Sequence, residues 1–182
     1  MSTYNDALLE YESEDDNGKI RLIYAYFGLA IYYSQVLEET FSIMLWTDRI
    51  FKNKVKTNKE VNEIIDAIEN SKKPMGVFIN EVKQSYILTE VIIKNLQSTL
   101  RKRNYLVHKY FKMEIQKCIS DLGRKEMLKY FGEFIDETKK IDSELNKYYS
   151  KYTDRMGLTK EKIEELVNEM KSEELKREKN YS

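Results

Sequence analysis

The chain is almost unpunctuated: Pro74 is its single proline, and glycine occurs six times in 182 residues. A β-sandwich or an α/β protein turns far more often and spends many more Gly and Pro residues on its turns. Long helices are what such a chain can build, and apolar residues recur at helical spacing along most of it. Across residues 19 to 51, Ile20, Tyr24, Phe27, Ile31, Leu37, Phe41 and Leu45 follow one another at steps of mostly three and four, which predicts a long first helix. Thr57-Asn58-Lys59-Glu60 has the spacing of a capping box and predicts a second helix carrying Val61, Ile64, Ile65 and Ile68. The stretch Ser71-Lys72-Lys73-Pro74-Met75-Gly76 breaks it, and a shorter apolar piece with Val77, Phe78, Ile79 and Val82 follows.

Residues 87 to 111 read as a third main helix ending in a basic segment. From about residue 124, Met127, Phe131, Phe134, Thr138, Ile141, Leu145, Tyr148 and Tyr152 form a seam that runs to near Gly157. Thr159 can cap a last helix bearing Ile163, Leu166, Val167 and Met170. The expected fold is therefore all-α, an up-and-down helical bundle with long first and C-terminal helices. Residues 1 to 18 are expected to be an acidic, flexible lead, residues 19 to 157 the bundle, and residues 158 to 182 a C-terminal helix whose charged end, from residue 173, frays.

Charge and cysteine usage narrow the setting. Cys118 is the only cysteine, so no intrachain disulfide forms and a reducing compartment fits; cytoplasm is the expected location. The most apolar run, residues 22 to 37, is shorter than the roughly 20 residues a membrane span requires, and no membrane association is expected. Residues 1 to 17 hold six acidic residues and no Lys or Arg, whereas residues 94 to 129 hold ten Lys or Arg against Glu114, Asp121 and Glu126. A local excess of seven positive charges suits a polyanion, and a solvated helix surface is the plainer alternative.

Within that basic stretch, Asn104 and His108 are four residues apart and share one helix face, while Arg103 and Tyr110, seven apart, share another. His108 is the only histidine, and read by itself it is a hydrogen-bonded structural residue. Its company suggests more. A neutral imidazole takes a proton from a ribose 2′-hydroxyl, a guanidinium holds a phosphate and its developing charge, and an amide orients either. Arg103, Asn104 and His108 thus supply the parts of a metal-free RNA-cleaving site, with Arg101, Lys102, Lys109 and Lys112 as candidate RNA-binding residues. Glu38-Glu39 could aim one carboxylate at the motif. With one His, one Cys and no clustered Asp, no metal site is expected, and no cofactor either.

The run Arg103-Asn104-Tyr105-Leu106-Val107-His108-Lys109-Tyr110 resembles the R-x4-H-x-Y signature of HEPN domains, the toxin type paired with small nucleotidyltransferase antitoxins. Residues 28 to 41 look like the long first helix of that fold, and Phe111 with the helix from about residue 124 fits its closing part. The resemblance covers roughly residues 19 to 150. It implies a HEPN-like bundle that dimerises with the two motifs facing one another, and a metal-independent endoribonuclease acting as a toxin or phage-defence effector. It further implies catalytic roles for Arg103 and His108, support from Asn104, and Tyr110 as the residue modified with AMP by a nucleotidyltransferase partner. RNA and a second copy of the chain are the other implied partners. Two alternatives stand beside it: a non-catalytic HEPN-like regulatory or dimerisation module binding a protein or nucleotide, and a scaffold that associates through the Met127 to Tyr152 seam.

Overall fold

Residues 2–179 are described by a computed structural model, and among them every regular element is helical. In order these are α1 (Thr3–Ser13), α2 (Asp16–Lys52), α3 (Asn58–Glu69), α4 (Met75–Ser85), α5 (Glu90–His108), α6 (Tyr110–Glu114), a 3-10 turn (Ile115–Ile119), α7 (Asp121–Arg155) and α8 (Lys160–Lys179). The chain is an all-helical bundle. Each long helix starts where a side chain can cap it: the Asp15 carboxylate accepts from the Gly18 amide at 2.7 Å, and the Ser120 hydroxyl from the Gly123 amide at 3.0 Å. At α3 the capping box is complete, with the Thr57 side chain accepting from the Glu60 amide and the Glu60 carboxylate from the Thr57 amide.

The two long helices, α2 and α7, make the spine. Arg124 bonds Asp16 near one end and Thr40 bonds Asp142 further along, so the pair runs in the same direction. Helix α5 returns antiparallel to both: Leu96 shares a buried cluster with Leu37 and Ile141, and Leu106 another with Ile23 and Met127, with Arg103 opposite Glu38 and Lys102 opposite Glu137. Along the spine lie two clusters of buried residues. One gathers Leu37, Phe41, Leu45 and Trp46 of α2 with Phe78, Ile79 and Val82 of α4, Leu96 of α5, and Ile141 and Leu145 of α7. The other gathers Ile23, Tyr26 and Ala30 of α2 with Leu106, Tyr110, Met127, Leu128, Phe131 and Phe134.

The seam residues Met127, Phe131, Phe134, Thr138, Ile141 and Leu145 are all buried within the chain itself. They hold α7 to its own neighbours, so this part of the seam is covered within the chain, while Tyr148 and Tyr152 at its far end are half-buried. No helix among the described residues is long and apolar enough to cross a membrane.

The N-terminal lead departs from expectation: most of it is α1, antiparallel to α7 and docked on it. Ala7 and Tyr11, four apart, are both fully buried in the second cluster. Tyr11 donates from its hydroxyl to Asp121 at 2.9 Å while the same oxygen accepts from Arg124 Nε at 2.7 Å. Arg124 also donates to the Cys118 carbonyl and to Asp16, so one buried guanidinium ties α1, α2, the 3-10 turn and α7 together. At the other end α8 is helical through Lys179, where a frayed tail was expected from residue 173. Residue 1 and residues 180 to 182, parts of the predicted lead and tail, lie outside the described residues.

Candidate functional site

Helix α5 begins at a Thr89 cap, whose hydroxyl accepts from the Ile92 amide, and its buried residues Ile92, Leu96, Thr99 and Leu106 fix which side faces the spine. The opposite side carries the basic motif. The helix ends at His108 because Lys109 leaves the helical region, with φ −134° and ψ −24°, before α6 resumes at Tyr110. That single irregular residue decides where the motif's side chains go.

On one side of the break lies an open groove of about 720 Å³, lined by Arg101, Arg103, Asn104, His108 and Lys109 of the basic segment. Glu38 of α2 and Lys73, Pro74, Met75 and Gly76 at the start of α4 complete the lining, together with Leu100 and Tyr105. His108 and Asn104 are solvent-exposed. The Arg103 side chain is 22% exposed and donates through Nη2 to Glu38 Oε1 at 3.2 Å and through Nη1 to Asn104 Oδ1 at 3.3 Å. Its Nε is buried without a partner. The length of Arg103 thus brings its guanidinium into the groove that His108 lines, although the two lie on different helical stripes.

Glu38 is the member of the Glu38-Glu39 pair that faces the motif. Glu39 lies at the surface, where partial desolvation of its carboxyl, followed by the neighbouring Glu69, holds it above the usual range. Lys73 was not anticipated as a lining residue. It pairs with Glu81 at 2.5 Å, and the only signal for it was the Lys72-Lys73-Pro74 break, distant in sequence from the motif.

Three of the anticipated residues lie elsewhere. Lys102 turns towards α7 and pairs with Glu137 at 2.6 Å. Lys112 is exposed on α6 and does not line the groove. Tyr110 is 3% exposed; its ring stacks on Tyr130 with centroids 5.2 Å apart and leans on Phe131 at 4.9 Å. Burial, and then the nearby Glu114, push its hydroxyl well above the ordinary tyrosine range. It lies at a separate, smaller groove with Glu114, Lys117, Glu126, Lys129, Tyr130 and Glu133.

Among the described residues no group of three or more His, Cys, Asp or Glu side chains comes together to hold a metal ion. Arg101, Arg103, Asn104, His108 and Lys109 together are equipped to grip a phosphodiester and move one proton at it. Comparison of the chain with models of known protein families, with curated protein sequences and with solved structures finds no match in any of the three.

Proposed function

We propose that this chain is a metal-independent endoribonuclease of the HEPN type, with the groove around Arg103 and His108 as its active site. The observation that carries the reading is the convergence of Arg101, Arg103, Asn104, His108 and Lys109 on one open groove. In the reaction, the His108 imidazole accepts the proton of a ribose 2′-hydroxyl, and that oxygen attacks the adjacent phosphorus. The bond from phosphorus to the 5′-oxygen breaks, leaving a 2′,3′-cyclic phosphate and a 5′-hydroxyl that takes its proton from a general acid. Arg103 faces the non-bridging oxygens as charge builds on them, and Arg101, Lys73 and Lys109 hold the flanking phosphates.

Glu38 pairs with the guanidinium of Arg103, and an incoming phosphate competes for it. With one His per chain, the acid is water or His108 of a second copy, which is why a homodimer with facing grooves belongs to this reading. Modification of Tyr110 is not carried into it, since a side chain 3% exposed is closed to a modifying enzyme in this conformation. The Arg103–Glu38 pair and the Arg103–Asn104 bond favour a second reading, in which the motif staples α5 to α2 in a non-catalytic regulatory module.

Incubating mixed cellular RNA in EDTA with the wild type and with His108→Ala separates the two. On the ribonuclease reading the wild type cleaves and the variant loses about 100-fold or more of the rate, the size of a general-base contribution. Because His108 is exposed, the melting temperature stays within about 2 °C. If a folded wild type leaves the RNA intact, the ribonuclease reading is wrong and the regulatory module stands.

A further inference from the structure

Helix α8 is the one long element that packs none of its residues away: every residue from 160 to 179 is solvent-exposed. Yet it is not uniformly polar. Ile163, Leu166, Val167 and Met170 follow at steps of three, one and three, making a two-turn apolar stripe whose members are 39% to 67% exposed. Isolated helices of this length are marginal in water and take most of their stability from covering such a face. The ion pairs along α8, such as Lys162–Glu165 and Arg177–Glu174, contribute only about 0.2–0.5 kcal/mol each. Helix α3 has a more sharply one-sided stripe, and there Val61, Ile64 and Ile65 are packed against the first cluster. Among the described residues the stripe on α8 has no counterpart in its own chain.

The geometry points to a second copy of α8, lying antiparallel across the first, as the partner of this stripe. Centring the pair between Leu166 and Val167 sets Ile163 against Met170 of the second copy and Leu166 against Val167. In that same register Lys162 falls beside Glu169 of the second copy, and Lys160 beside Glu174. The two-fold axis repeats both contacts, so four opposite-charge pairs flank the apolar stripe. A parallel pair places Glu169 beside Glu174 of the second copy, like against like, and forfeits the Lys162 contact. The charges therefore select the antiparallel arrangement, and the proposal is independent of what the groove at His108 does.

Cysteine pairing reads the register directly. In a Cys118→Ser background, chains carrying Ile163→Cys are mixed with chains carrying Met170→Cys under mild oxidation. The expected result is a disulfide-linked species of twice the chain mass in the mixture and none with either variant alone. Cross-linking of Ile163→Cys with itself overturns the antiparallel register, and no cross-link in any arm overturns self-association through α8. A measurement free of added thiols stands beside it: sedimentation of the wild type against Leu166→Lys/Val167→Lys. The substituted positions on α8 are all exposed, and the half-buried Cys118→Ser change is common to every arm of the cross-linking experiment. The double variant is expected to lose a step of association, and equal masses at high protein concentration overturn the proposal.

Discussion

Tyr86, half-buried against α2, makes the fold sensitive to high pH. It donates to the Met44 carbonyl at 2.9 Å and lies 3.1 Å from the Thr47 hydroxyl, where burial pushes its pKa up to about 12. Tyr26, bonded to Glu10, is likewise pushed up to about 12, by burial first and that carboxylate second. A raised phenol contributes its stability in full below the unfolded value of 10.0 and loses it as pH climbs towards the folded one. The urea midpoint is therefore expected to fall as the pH rises from 10 to 12, and Tyr86→Phe to flatten that fall while costing about 1 kcal/mol at neutral pH. A variant with the wild-type slope would remove Tyr86 from the account. At this scale the sequence was legible where one face sufficed, as for Asn104 with His108. It misled at Tyr110, because the helical phase restarts at Lys109 and carries Tyr110 away from Arg103 into the core. Between Glu38 and Glu39 only the approach of α5 to α2 could choose.

Elements were readable in proportion to the regularity of their apolar stripes. The spacing over residues 19 to 51 became α2, and the box at Thr57 became the start of α3. Helix α1 escaped because its side towards α7 is built from Ala7 and Tyr11, while Leu9, its more apolar residue, is 64% exposed. What seats α1 is the absence of a side chain on α7. A Cβ placed on Gly132 would stand 2.7 Å from the Tyr4 backbone nitrogen and 2.8 Å from its Cα. Gly132→Ala must therefore push the α1 backbone outward, stretching the Thr3 bonds to Asp136 and the Tyr11 contacts beyond. The expected cost is about 1–3 kcal/mol of unfolding free energy in chemical denaturation, the range of an overpacked contact. A value near zero would mean that α1 slides on α7 without loss.

For the whole molecule, the helical class was legible from the scarcity of Pro and Gly, but the parallel course of α2 and α7 was not. Nothing local encodes it, since Thr40 finds Asp142 and Asp16 finds Arg124 only when distant segments meet. Both helices run through both buried clusters, which makes the two interdependent. Trp46, the only tryptophan, sits in one cluster, and Leu128, fully buried, sits in the other. Leu128→Ala removes packing worth about 2–5 kcal/mol. Its effect is expected to appear in full in the denaturation midpoint reported by Trp46 fluorescence, whereas independent clusters would leave that midpoint in place. The same spine dictates the order in which the fold can be completed on the ribosome. Helix α2 leaves the exit tunnel well before α7 is translated, so Phe41 and Leu45 wait without their full cover while the intervening helices are made. Helix α1, made before α2, docks on α7, which is translated well after both. The nascent chain therefore carries α1 without its seat until α7 has been translated.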